Sequence, residues 1–193
     1  MELPELDNRP VIVAIAGPNG AGKSTFFHSH IAPAALRFID PDALARELGT
    51  DAYTAAKMAD ALRRRLLCAG ESFAFETVFS DPAGEKLKFL KEASKAGHTV
   101  VLCFIGLADP DLSETRVAMR VSQGGHEVPS EKLRSCFPRT LANLKAALSE
   151  LPLVYVFDNS DLGRPFRSIS IFREGQQIFA DPSPPLWFTR LLE

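Results

Sequence analysis

The chain has 193 residues, 46% hydrophobic and 24% charged, with a formal net charge of −2. Such a chain builds one substantial core and is too short for two ordinary domains with a linker, so a single domain over 1–193 is expected, with its core at about 11–160 and a tail from about 161. The composition excludes a disordered, collagenous or coiled-coil chain, and scattered basic residues with no run beyond Arg63-Arg64-Arg65 give no nucleic-acid footprint.

Val11, Ile12, Val13, Ala14, Ile15 and Ala16 form a continuous apolar run ended by Gly17 and Pro18, which predicts a strand buried on both faces. From Lys23 the pattern turns helical. A short strand is expected over 36–40, and Pro41 suits the first turn of a helix after it. Apolar residues at Ala55, Ala59, Leu62 and Leu66 describe one face of a helix over 51–67, with the arginine triplet read as its solvated side. Further strands are expected over 72–76, 99–107 and 153–157, and helices over 86–96, 110–121 and 130–148, the last capped by Ser130. Residues 168–172 and 176–179 flank Arg173-Glu174-Gly175 as a small C-terminal β-hairpin, followed by a short amphipathic end with Trp187. Alternating strands and helices imply an α/β fold, a mainly parallel sheet flanked by helices.

No apolar stretch approaches the roughly 20 residues of a membrane helix, and Glu2, Glu5 and Asp7 stand where a signal peptide would be basic, so neither membrane nor secretion is expected. Cys68, Cys103 and Cys136 are odd in number and widely spaced, which fits reduced thiols in a cytoplasm, with Cys103 a small core residue.

Gly17-Pro18-Asn19-Gly20-Ala21-Gly22-Lys23-Ser24 matches the phosphate-loop pattern G-x-x-x-x-G-K-[ST]. It follows a buried strand and opens a helix, where successive amides and the helix dipole point at phosphate oxygens. Gly17 through Thr25 are therefore the expected nucleotide contacts, with Lys23 on the outer phosphates of ATP and Ser24 on Mg²⁺. The chain lacks the Asn-Lys-x-Asp motif of a GTPase. Asp158 is followed by Asn159, so the water-polarising glutamate of an ABC-type ATPase is also missing. A small-molecule kinase fits better, with Asp40 and Asp42 at a second strand end facing the loop. Asp40 would help hold Mg²⁺ and Asp42 would take the acceptor proton, although either residue can also cap the following helix. Arg116 and Arg120 are four apart, on one helix face, and can clamp the phosphates; His126, Arg134 and Arg139 are further anion contacts. A nucleotide-controlled ATPase switch acting through a protein partner is the competing reading.

Together these residues resemble the zeta toxins, P-loop kinases that phosphorylate UDP-N-acetylglucosamine on a sugar hydroxyl. The resemblance covers most of the chain. It rests on the loop, on Ile39-Asp40-Pro41-Asp42, on Phe75-Glu76-Thr77, on Arg116-Val117-x-x-Arg120-Val121-x-x-Gly124-Gly125-His126 and on Pro138-Arg139-x-Leu141-x-Asn143-Leu144. It implies Lys23, Asp42, Arg116 and Arg120 as catalytic, and Asp42, Glu76, Thr77 and His126 as contacts to a small nucleotide-like acceptor. Where better-studied members carry a second phosphate arginine, this chain has His126, so the role falls to Arg120 or His126. Nothing before Val11 is long enough for a fused antitoxin bundle, so an antitoxin would be a separate chain.

Overall fold

The computed structural model describes residues 3–124 and 128–193. Seven strands form one sheet: β1 (Val11–Ala16), β2 (Arg37–Ile39), β3 (Phe73–Thr77), β4 (Thr99–Gly106), β5 (Leu153–Asp158), β6 (Arg167–Arg173) and β7 (Gln176–Ala180). Their order is β2-β3-β1-β4-β5-β6-β7. The first five run parallel and the last two antiparallel. Right-handed crossovers are the default for parallel neighbours, so the connecting helices cover both faces of the sheet. These helices are α1 (Lys23–Phe26), α2 (Pro41–Leu48), α3 (Ala52–Cys68), α4 (Glu85–Lys95), α5 (Pro110–Ser122) and α6 (Ser130–Glu150), with α7 (Leu186–Leu192) following β7.

All of β1 is buried, as its unbroken apolar run requires. Its residues alternate between two cores. Ile12, Ala14 and Ala16 join Phe75, Phe104 and Val156 on one face, while Val11, Val13 and Ile15 join Phe26, Ile105 and Phe157 on the other. The register pairs Ile15 with Glu76, Ala16 with Thr77 and Gly106 with Asp158. The carboxyl ends of β1, β3, β4 and β5 therefore meet along one edge, where open α/β sheets bind ligands.

Four local expectations change. β2 is shorter than 36–40, because Asp40 leaves the strand to cap α2. The hairpin forms as expected, but the core does not end near 160: β6 pairs with β5, and Ile169, Phe172, Trp187, Phe188 and Leu191 enter the first core. Ser130 does not cap α6, since Pro129 holds the cap position and the Ser130 hydroxyl donates to Glu114 across to α5. Arg63 is not on a solvated face. It is 3% exposed, lies 4.8 Å over the Phe75 ring and pairs with Asp60. Spacings of four and three from Ala59 and Leu66 put it on the buried stripe, where its apolar stem packs and its guanidinium stacks.

Candidate functional site

The phosphate loop lies between the end of β1 and α1, and the fold forces its shape. Gly17 has φ +145°, and a Cβ there would stand 2.1 Å from the Ile105 carbonyl oxygen, so no other residue fits. Two side chains fasten the loop from neighbouring elements. Ser113 of α5 donates its hydroxyl to the Asn19 carbonyl at 2.7 Å, and Asn159, just past β5, donates its amide to the Ala21 carbonyl at 2.8 Å. Both are buried, so these bonds are shielded from competing water. Neither residue stands out in the sequence as a loop holder, because each lies far along the chain.

Lys23 is buried, and its Nζ donates to the Pro18 carbonyl at 3.2 Å. Burial pushes its pKa down; the Glu76, Asp42 and Asp40 carboxylates draw it back up and Arg120 lowers it further. All five groups thus share one electrostatic neighbourhood. The exposed Ser24 hydroxyl donates to Glu76 Oε2 at 2.7 Å. Glu76, expected at the acceptor, therefore stands against the loop serine at the end of β3. Asp40 carries a raised pKa, from burial first and then from Glu76. A hydroxyl and two carboxylates at one place make a hard oxygen donor set that fits Mg²⁺, an ion that takes one or two protein oxygens and completes its shell with phosphates and water. Among the described residues no three His, Cys, Asp or Glu side chains group so as to hold a metal ion by themselves.

The two aspartates after β2 separate clearly. Asp40 caps α2, its Oδ1 accepting from the Asp42 amide at 2.9 Å. Asp42 is in the first helical turn with its carboxylate exposed, so the cap reading is dropped for Asp42. Asp40, Asp42 and Arg120 line two adjoining hollows. One, of about 550 Å³, includes Ser24 and runs along α2. The other, of about 730 Å³, follows β3 past Glu76 and Thr77 to Asp60, Arg63 and Lys86. Thr77 accepts the Phe79 amide at 3.0 Å and so shapes the wall beside it.

The expected arginine clamp is divided. Arg120 faces the hollows, whereas Arg116 packs beside the loop, its Cβ 3.0 Å from where a Cβ on Gly20 would stand, and its guanidinium donates to the Ser160 carbonyl. Arg134 lies outside the hollows and pairs with Asp111 and Glu114 on α5. Arg139 lines the larger hollow and, with Thr140 and Asn143, ties α6 to the carbonyls of the segment after β3. His126 lies outside the described residues.

A family model described as an AAA domain matches residues 12–139, which takes in the loop, both aspartates, Glu76 and both arginines of α5. The chain belongs to that family. Among curated proteins nothing matches it. Of solved structures, one chain of the AvrRxo1-ORF1:AvrRxo1-ORF2 complex with sulphate ions superposes with a TM-score of 0.69 at 15% identity, covering 97% of this chain and 66% of that one. This chain thus spans just under two thirds of that relative's length. A chain of the PezAT chromosomal toxin-antitoxin system of Streptococcus pneumoniae gives 0.58 at 16% identity, covering 93% and 76%. A putative kinase from Chloroflexus aurantiacus gives 0.55 at 22%, covering 78% and 86%. At these identities the likeness establishes the α/β P-loop fold. Among the described residues no helix is long and apolar enough to cross a membrane.

Proposed function

We propose that this chain is an ATP- and Mg²⁺-dependent phosphotransferase acting on a hydroxyl of a small nucleotide-like acceptor, with UDP-N-acetylglucosamine as the first compound to test. The observation that carries this reading is the exposed Asp42 carboxylate, standing where a hollow beginning at Ser24 meets a second hollow leading away along β3. The loop amides and Lys23 hold the phosphates, and Ser24 with Asp40 supplies protein oxygens for the cation. When bound, Mg²⁺ neutralises charge on the phosphate oxygens. Asp42 accepts the proton of the acceptor hydroxyl as its oxygen bonds to the terminal phosphorus and the bond to the departing ADP oxygen breaks. Glu76, hydrogen-bonded to Ser24, would stand between the cation and the acceptor, Thr77 lines the acceptor's hollow beyond it, and Arg120 faces the charge that spreads over the transferred group.

The likeness to the zeta toxins and the toxin-antitoxin and ORF1:ORF2 complexes among the fold relatives extend this reading to a separate antitoxin-like inhibitor chain. The test is a screen of sugar nucleotides, nucleosides and dinucleotides for the mass gain of one phosphate, with ADP release followed in parallel. A kinase releases ADP much faster when its acceptor is present. ADP release at one rate across the whole screen would favour the ATPase switch instead.

A further inference from the structure

The end of β5 joins three parts of the molecule through consecutive residues. Asp158 Oδ1 accepts the Trp187 indole N–H from α7 at 2.8 Å and the Ser160 hydroxyl at 2.6 Å. The Ser160 carbonyl accepts from Arg116 Nη2 at 3.1 Å, and the Arg116 Cβ packs beside Gly20 of the phosphate loop. Between them, Asn159 holds the Ala21 carbonyl. Trp187 is 6% exposed and Asp158 8%, so the charge on Asp158 is met by an indole donor instead of water. The indole has a dedicated seat. A Cβ on Gly106 would stand 2.1 Å from the Trp187 ring, so the strand leaves out a side chain where the ring lies.

We propose that Trp187 is a positioning residue for the nucleotide site: by fixing the Asp158 carboxylate it fixes Ser160, and through Ser160 it aims Arg116 beside the phosphate loop. Deleting only the indole donor leaves the Asp158 carboxylate with one fewer partner. Ser160 is then held less firmly at its hydroxyl, and the Arg116 guanidinium that its carbonyl accepts from loses its fixed aim. This inference rests on the nucleotide-binding part of the function proposed above and not on the identity of the acceptor.

The test is a double-mutant cycle on ATP affinity, measured by calorimetry with Mg·ATP and no acceptor. Trp187→Phe keeps a ring in the seat and removes the donor. Interactions between residues of one network are worth roughly two- to 160-fold, and the losses of coupled residues do not multiply. Trp187→Phe and Arg116→Ala should each weaken binding within that range, while the double variant binds no more weakly than Arg116→Ala alone. A general loss of stability moves the melting temperature but cannot remove the effect of Trp187→Phe from the Arg116→Ala background. Ser160→Ala cuts the same chain without touching α7 and should couple to Arg116→Ala in the same way, so it decides the matter if Trp187→Phe does not fold. Parent-like affinity in a folded Trp187→Phe protein, or losses that multiply, would overturn the proposal. A screen that finds no acceptor leaves the cycle intact, whereas a parent protein that binds no ATP overturns both readings.

Discussion

Because Asp40 is committed to the Asp42 amide, the two aspartates should respond differently to substitution. Asp42→Asn should lower single-turnover transfer about 10²- to 10⁴-fold, the usual contribution of a positioned general base. Its melting temperature should barely move, since only the helix-dipole benefit of a first-turn charge, about 0.3–1 kcal/mol, is lost. Asp40→Ala should instead destabilise the fold by about 1 kcal/mol through the lost cap, visible in denaturant titration. Transfer within about threefold of the parent by Asp42→Asn would remove that residue from the mechanism. Thiol labelling gives a second residue-level check. Cys68 is exposed and should react with a thiol probe in the native protein, while Cys103, wholly buried with its pKa pushed well up by burial, should react only after unfolding. The loop and the Asp-Pro-Asp segment were legible in the sequence because their chemistry is local. Which aspartate caps α2 was not, since that depends on where β2 ends. The Ser24–Glu76 contact was hidden for a related reason: it depends on the register of β3 beside β1, which no local pattern encodes.

At the scale of elements, α5 carries one arginine beside the loop and another toward the hollows, one helical turn apart. Arg120→Ala should therefore lower the turnover rate more than it raises the apparent ATP constant, because its partner charge grows in the transition state. Steady-state kinetics against ATP at saturating acceptor checks this, and weaker ATP binding at unchanged turnover would make Arg120 a ground-state contact only. Strands and helices with a clean period, such as β1 and α3, were legible to within a residue or two. Arg63 was misread because a charge suggests solvent, while its spacing from Ala59 and Leu66 places it on the buried stripe; the spacing was the better guide. That β6 and β7 extend the main sheet depends on β5 offering them an open edge, a tertiary fact.

For the molecule as a whole, α7 is bound into the first core and into the strand end beside the loop. Gly106→Ala should expel the indole, destabilise the fold by about 1–3 kcal/mol as an overpacked site does, and shift the emission of the chain's one tryptophan toward longer wavelength. Unchanged emission and stability would mean that the seat yields easily. The fastening of the phosphate loop bears on how the protein is made. Its two holders, Ser113 and Asn159, follow their partners by 94 and 138 residues. The ribosome delivers the glycine loop early, at about 5–20 residues per second, and the groups that fix it many seconds later. A nascent chain therefore carries the phosphate-binding sequence well before it can bind a nucleotide, and competence arrives only when β5 inserts beside β4. The proposed activity is in this way withheld until most of the sheet has assembled.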